Sequence, residues 1–249
     1  MKNISRKQII WGIILLVFAA ALVWLVDWTT YARPPLPEAE AALISDENVE
    51  VTHKPWLTFT LSGVDVESGF IFYPGGRINP KSYAPLLKPI AAEGYLVVVP
   101  EMPINMAIFD VDAADEIMAQ YPEIKHWVIG GHSVGGVSAA MYTAESPEQI
   151  DGLAIWAAYP ADNSDISALD IPVLSIYGGR EEGVTDESVG ERKHLLPADT
   201  EYIKIEGGDH HQFGSYKIKP EEHLATVERS VQQAQIIEAM LDLLIRASQ

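Results

Sequence analysis

Cysteine is missing from this sequence of 249 residues. Its absence excludes a disulfide framework, a thiolate metal site, a cysteine nucleophile and a lipid-modified N-terminal cysteine. The chain must therefore be held together by burial of apolar side chains. Its length is sufficient for that, since about 250 residues can bury a large core.

Basic residues are also scarce. Lysine and arginine number 17 against 35 aspartates and glutamates, which gives a net charge of −18. Three of the 17 precede residue 8, and after Asp27 there are 14 basic and 34 acidic residues, a net charge of −20. Such a domain repels phosphate backbones and anionic lipid headgroups. Nucleic acid is therefore not an expected partner.

The N-terminal segment contains a long apolar run, Ile9–Val26, with no charged residue. At 1.5 Å per residue it covers roughly 27 Å, close to the hydrocarbon thickness of a bilayer. Trp11 and Trp28 lie near its ends, where indoles favour the interface. Lys2 and neighbouring positive residues precede the run, so the positive-inside rule predicts a cytoplasmic N-terminus. We expect a single-pass membrane protein whose remaining residues are extracytoplasmic.

A cleaved signal peptide is the competing interpretation, with a secreted product. Its apolar core would be shorter, about 7–15 residues, and a small-x-small site would follow. Here the sequel is DWTTYARPPLP, a poor cleavage site. We therefore predict an anchor with its cytoplasmic stub in residues 1–30, a proline-containing linker in 31–47, and one folded domain in 48–249.

Short apolar runs recur through that domain, with helical patterns between them. The runs are VEVT, WLTFTL, GFIFY, YLVVV, HWVIG, GLAIWA, VLSIYG and YIKIE. The middle ones are continuously apolar and rich in valine and isoleucine, as strands buried on both faces of a parallel sheet are. The alternation predicts an α/β fold with a mostly parallel sheet of about eight strands and helices on both faces, the first two strands forming an antiparallel hairpin.

One serine lies among glycines between a predicted strand and helix, in WVIGGHSVGGVSAA (127–140). The stretch contains G-x-S-x-G, with Gly131, Ser133 and Gly135. A serine hydroxyl is a weak nucleophile and must project where a base and a substrate carbonyl can both reach it. A sharp strand-to-helix turn projects it in this way, and glycine two residues to either side removes the steric collision across the turn. Ser133 is the candidate nucleophile.

A serine nucleophile needs a base and a carboxylate that orients it. The segment EGGDHHQFG directly follows the last predicted strand, at the sheet edge where ligands bind in such folds, and offers His210 or His211. The carboxylate candidates follow the two preceding strands, the nearer first: Glu181, Glu182 and Asp186, then Asp162 and Asp165.

The oxyanion of an acyl-transfer reaction needs two N–H donors. The first is expected from Val134, next after the serine, at the N-terminus of a helix. The second is expected from the loop after the third strand, FYPGGR (72–77), where Gly76 is our choice and Gly75 the alternative.

These segments together resemble the α/β-hydrolase superfamily, and more narrowly its small, lid-poor group related to dienelactone hydrolases. The resemblance covers roughly residues 48–246 and depends on FYPGGRINPKSYAPL, GGHSVGG, VLSIYGGREEG and EGGDHHQFG, in that order. It implies that Ser133 is the nucleophile, His210 the base and Glu181 the acid. The acid departs from the usual aspartate of this group, so Glu182 stays open as an alternative.

The resemblance implies a serine hydrolase that cleaves an ester or lactone through an acyl-enzyme, with a small-molecule substrate and no metal or organic cofactor. Only about 15 residues separate the GLAIWA and VLSIYG runs, so a large lid is not expected. Two alternatives remain, a membrane-tethered binding module without turnover and an acyltransferase acting on envelope components. Six large side chains could line a pocket: Met102, Met106, Phe109, Trp156, Tyr159 and Phe213.

Overall fold

A computed structural model of the protein describes residues 5–249; Lys2 lies outside the described residues. Eight strands form one sheet in the order β1-β2-β4-β3-β5-β6-β7-β8. The strands are β1 (Val49–Thr52), β2 (Leu57–Leu61), β3 (Ser68–Tyr73), β4 (Leu96–Val99), β5 (His126–His132), β6 (Gly152–Trp156), β7 (Val173–Gly178) and β8 (Glu201–Ile205). β2 pairs antiparallel with both β1 and β4, and all other pairs are parallel. The predicted eight-stranded, mostly parallel sheet is confirmed.

Helices cover both faces of the sheet. The helices of the described residues are α1 (Arg6–Thr30), which lies apart from the sheet, α2 (Pro37–Ala42), α3 (Ala84–Ala92), α4 (Ala113–Gln120), α5 (Val134–Glu145), α6 (Asp186–Arg192) and α7 (Arg229–Ala247). Alternate residues of β3 pack into the cores on opposite faces of the sheet. Phe70 and Phe72 pack in the core beneath α3 and α7, whereas Ile71 and Tyr73 pack in the core beneath α4 and α5. The continuous apolar runs of the sequence reflect this burial on both faces.

Two helices of the domain have 3-10 turns at their ends. A 3-10 turn, Pro80–Tyr83, directly precedes α3. The helix α6 is capped by Thr185, ends at Arg192 and continues as a 3-10 turn to Leu195. Periodicity identifies the apolar face of a helix, whereas the hydrogen bonding of its terminal turns decides its ends.

The N-terminal helix α1 stands outside both cores. It has 25 residues, none of them buried, and an 18-residue window with a mean hydropathy of 2.9. It is therefore long and apolar enough to cross a bilayer. A signal sequence has the same features, so topology and retention remain predictions.

The segment predicted as a linker is instead packed on the domain. Arg33 and Pro35 form isolated bridges with Ile78 and Tyr216, and α2 follows them. Ala39 is fully buried and Leu43 nearly so. The prolines are typical of extended chain, whereas here the apolar side of PEAEAAL packs against α3. The division into anchor, linker and folded domain stays a prediction.

Candidate active site

The serine bend joins β5 to α5 at the carboxyl edge of the sheet. Ser133 has φ 54° and ψ −124°, in the left-handed region that non-glycine residues avoid. A Cβ on Gly131 would lie 2.4 Å from the carbonyl carbon of Gly135, and one on Gly135 would lie 2.1 Å from the Tyr73 oxygen. Glycine is required at both positions, as the pattern predicted. Strain of this kind is concentrated at functional sites.

His210 and Glu181 meet at the same edge. His210 opens a short 3-10 turn after β8, and its Nδ1 lies 3.0 Å from Oε2 of Glu181. The Glu181 side chain is 0 % exposed, and its Oε1 accepts a hydrogen bond of 2.6 Å from the Gly178 amide. A buried carboxylate held in this way can orient an imidazole and stabilise its protonated form.

The other acidic candidates do not reach a histidine of this loop. Glu182 is exposed, and Asp186 pairs with Lys204 at 2.8 Å and accepts from the Tyr177 hydroxyl. Asp162, with an 81 % exposed side chain, pairs with Arg192. The structure therefore brings Glu181 to His210.

His211 faces a different environment from His210. Its Nδ1 lies 3.1 Å from the Tyr216 hydroxyl, and its ring meets that of His210 edge-on at 5.7 Å. Burial, followed by the neighbouring His210, lowers the pKa of His211. His210 rather than His211 contacts the glutamate.

Ser133 and His210 lie near each other but are not joined by a hydrogen bond in the structure. Within residues 5–249 the Ser133 hydroxyl makes no hydrogen bond. However, the His210 ring centroid is 4.6 Å from that of His132, the residue before the serine, and the His210 carbonyl is 3.1 Å from His132 Nε2. Hydrogen bonds of this kind are often long without substrate and close in the Michaelis complex. Nδ1 of His210 is engaged by Glu181, whereas its Nε2 makes no hydrogen bond within the described residues.

A buried polar chain links the loops around the serine. The Gly75 amide donates to the Tyr83 hydroxyl at 2.9 Å, and that hydroxyl lies 2.9 Å from Nδ1 of His132. With the His132 proton on Nε2, the ring accepts from Tyr83 and donates to the His210 carbonyl. Burial keeps both groups neutral, because it raises the pKa of Tyr83 well above 10.0 and lowers that of His132 well below 6.5. No pattern in the sequence indicated a role for Tyr83.

The two predicted oxyanion donors lie close together. A Cβ on Gly76 would lie 3.1 Å from Cγ1 of Val134 and 2.8 Å from Sδ of Met106. Tyr83 occupies the Gly75 amide, whereas the Gly76 amide has no backbone partner in the described part of the chain. Val134 is the first residue of α5, so its N–H has no acceptor within the helix. Both amides are available to a ligand.

The sequence reasoning missed Asp209, which organises the histidine loop. Its carboxylate is 1 % exposed. One oxygen accepts from the amides of His211 and Gln212, the other from those of Leu224 and Ala225, all at 2.9 to 3.0 Å. Its position before the histidines, as an N-cap, was the available signal.

Gln232 of α7 binds the backbone of Asp209. Its side chain accepts from the Asp209 amide at 3.0 Å and donates to the Asp209 carbonyl at 2.9 Å. The histidine loop is thereby bonded directly to the core helix, which limits the positions that His210 can adopt.

The predicted pocket residues separate into two groups. Trp156 and Phe213 are fully buried in the core, whereas Met106 lies against Gly76 and Phe109 is 62 % exposed. Between β6 and β7, residues 157–172 contain neither helix nor strand. This edge of the site therefore has no inserted lid, as expected from the short connection.

Comparisons with known proteins agree with this architecture. The sequence model described as "Alpha/beta hydrolase family" matches residues 69–234. No curated protein matches the sequence. Among solved structures, Est1E from Butyrivibrio proteoclasticus has a TM-score of 0.55 at 12 % identity, covering 80 % of this chain and 99 % of that one.

Two further structures share the fold. An esterase from Thermogutta terrifontis, Est2, has a TM-score of 0.55 at 15 % identity and covers 78 % of this chain and 91 % of that one. A putative dienelactone hydrolase from Klebsiella pneumoniae has a TM-score of 0.57 at 17 % identity and covers 81 % and 98 %. At such identities the likeness shows the fold alone, but the family model covers two thirds of the sequence. The chain belongs to the alpha/beta hydrolase family.

Proposed function

We propose that the protein is a serine hydrolase that cleaves an ester or lactone bond through Ser133, His210 and Glu181. The observation that carries the proposal is the coincidence of a strained, glycine-flanked serine with a histidine that contacts a fully buried glutamate at the same edge of the sheet. Each feature is costly by itself. A left-handed serine costs of order 1–3 kcal/mol, and a buried carboxylate must be compensated by partners.

In the proposed reaction, Oγ of Ser133 bonds to the substrate carbonyl carbon as its proton passes to Nε2 of His210. The carbonyl electrons move onto oxygen, which accepts from the amides of Val134 and Gly76. Glu181 stabilises the imidazolium. When the oxyanion electrons re-form the carbonyl, the bond to the alkoxide oxygen breaks, and that oxygen takes the imidazolium proton to leave as the alcohol. Water attacks the acyl-enzyme by the same route, releasing the acid and restoring Ser133.

A non-catalytic binding module is the second candidate, favoured by one observation. The Ser133 hydroxyl has no hydrogen bond within the described residues. A fluorophosphonate probe separates the two functions, because it reacts only with an activated serine. We expect the full-length chain in detergent to be labelled and Ser133→Ala not to be.

Ser146→Ala is the matched control, since Ser146 follows the last residue of the helix that Ser133 opens. It should be labelled like wild type. Hydrolysis of p-nitrophenyl acetate should fall by at least about 10³ in Ser133→Ala and little in Ser146→Ala. Equal labelling of wild type and Ser133→Ala, or none of wild type, would contradict the hydrolase.

We also propose that α1 is retained as a single-pass anchor, with the N-terminus cytoplasmic and the hydrolase domain outside. The length and hydropathy of α1 support this, as does the poor cleavage site in the sequence DWTTYARPPLP that follows its apolar run. Mass spectrometry of membrane fractions should find residues 1–30 still attached. A mature chain starting after that segment would instead favour secretion.

A further inference from the structure

The end of α1 contacts the loop that carries a proposed oxyanion donor. Nη2 of Arg77 donates to the Trp28 carbonyl at 3.1 Å, and its guanidinium lies 5.1 Å from the ring centroids of Trp28 and Tyr31. Arg77 directly follows Gly76 in the chain. Since consecutive Cα atoms are about 3.8 Å apart, the proposed oxyanion donor Gly76 is the direct neighbour of a residue that contacts the anchor.

A second loop of the site reaches the same end of α1. Asn105 donates to the Thr30 carbonyl at 3.4 Å, and its own carbonyl accepts from the Arg77 amide at 2.7 Å. Met106, next in the chain, packs against Gly76. Both loops on this side of the serine are therefore bonded to each other and to the membrane-proximal end of the helix.

The second loop exposes two apolar side chains, Ile104 directly before Asn105 and Phe109 four residues after it. Ile104 is 40 % exposed and Phe109 62 %. Ile104 has φ 46°, which a β-branched residue rarely adopts. The loop thus holds an aliphatic side chain in solvent at a conformational cost, as a segment that enters an apolar medium would.

The position of this surface relative to the bilayer follows from α1. Its uncharged run ends at Val26 and is followed by Asp27 and Trp28. Tryptophan side chains favour the membrane–water interface. Residues in contact with Trp28 and Tyr31 therefore lie at headgroup depth. Peripheral attraction to anionic lipid cannot explain this placement, because the domain beyond Asp27 carries a charge of −20.

We propose that the site opens onto the membrane and takes its ester from it. The substrate class is an amphiphilic ester whose apolar chain stays in the bilayer while its carbonyl reaches Ser133, and the surface formed by Ile104 and Phe109 enters the interface beside it. This substrate class depends on the proposed hydrolase function and on retention of α1. A surface seated in lipid also explains how a site without an inserted lid can admit long acyl chains.

Fluorescence in vesicles tests the membrane contact without needing activity. The chain has no cysteine, so Phe109→Cys gives a single site for an NBD label in the full-length protein. In phosphatidylcholine vesicles, nitroxide-labelled lipid should quench NBD at residue 109 at least about twofold, since nitroxides quench only fluorophores that enter the bilayer region.

Val64→Cys is the matched control. Val64 is 53 % exposed and lies in the turn between β2 and β3, at the opposite edge of the sheet. Label at residue 64 should not be quenched. Equal quenching of the two labels would overturn the membrane contact, whatever the enzyme does.

Turnover of two esters tests the substrate class. p-Nitrophenyl acetate stays in water, whereas p-nitrophenyl laurate enters the vesicles, and both release the same product. We expect the laurate-to-acetate ratio of kcat/KM to fall about tenfold in the double variant I104S/F109S, because the apolar side chains that hold the site against the bilayer are lost. The ratio should be unchanged in V64S.

The possible failures are distinguishable. An unchanged ratio in I104S/F109S, with active wild type, would overturn the substrate class and leave the hydrolase intact. A wild type that hydrolyses neither ester and does not react with the fluorophosphonate would overturn the proposed function, and the substrate class with it. The quenching measurement would then still decide whether residue 109 meets the membrane.

Discussion

The two sides of the candidate site differ in charge. The histidine side contains two buried carboxylates, Glu181 beside His210 and Asp209 beneath the same loop. The serine side is built from neutral groups, since burial holds both Tyr83 and His132 in their uncharged forms.

This difference matches the charges that the proposed reaction would create. An imidazolium would form on the histidine side, where anions stabilise it. An oxyanion would form on the serine side, where a nearby carboxylate would repel it and where backbone N–H groups are available. The site would thus be pre-arranged to stabilise a positive charge on the histidine side and a negative charge on the serine side.

Removing the charge that faces His210 should have the largest effect. Glu181→Gln keeps the side-chain shape but cannot stabilise the imidazolium or select its tautomer, so we expect kcat for p-nitrophenyl acetate to fall about 10³–10⁴-fold. Glu182→Gln, an exposed neighbour, should retain wild-type turnover. The comparison fails if the two variants behave alike.

Removing the structural carboxylate should have an intermediate effect, on stability. In Asp209→Asn one oxygen becomes an amide group that cannot accept, so two of the four backbone N–H groups lose their partner. At roughly 1–3 kcal/mol for each buried unpaired donor, the free energy of unfolding should fall by about 3 kcal/mol.

Urea unfolding of the full-length chain in detergent, followed by circular dichroism, measures this loss. Asp199→Asn is the control, because Asp199 is an exposed aspartate of the turn before β8. Similar stabilities for the two variants would show that Asp209 is an ordinary loop residue and that only one carboxylate matters on the histidine side.

Lowering the pH should have the smallest effect. It tests whether His132, on the serine side, is neutral in the folded protein. The pKa of His132 lies well below 6.5 in the folded protein, chiefly because of burial and then because of His210. Below pH 6.5 the unfolded chain binds a proton at this residue that the folded chain does not. Its contribution to stability is therefore complete above pH 6.5 and declines as pH falls, by up to about 1.4 kcal/mol per pH unit, until the folded pKa is reached.

His132→Gln removes this titration while His211 and the carboxylates continue to titrate in both proteins. Unfolding free energies measured between about pH 7.5 and about pH 5.5 should therefore decline more steeply in wild type than in the variant. Parallel pH profiles would mean that His132 is protonated in the folded state, and the serine side would not be neutral.

Much of the fold could be predicted from the sequence because its signals are local. Short apolar runs at regular spacing identified all eight strands, and the glycines on either side of Ser133 indicated the bend that the structure has. The packing of segment 31–47 was not predicted, because it depends on residues that are distant in the sequence. Its prolines are a local signal for extended chain, whereas the packing of Ala39 and Leu43 depends on α3, about 45 residues further along.

In the candidate site, too, some features follow from local sequence signals and others from contacts between distant residues. Composition, apolar periodicity and glycine spacing determined by themselves that a serine would stand at a sharp turn after a buried strand, preceded by an apolar helix at the N-terminus. Only the tertiary structure decided that Glu181 rather than Glu182 meets His210, that Tyr83 and Asp209 support the loops, and that the end of α1 contacts Arg77. Those choices depend on the directions of side chains from elements far apart in sequence, and no local pattern encodes them.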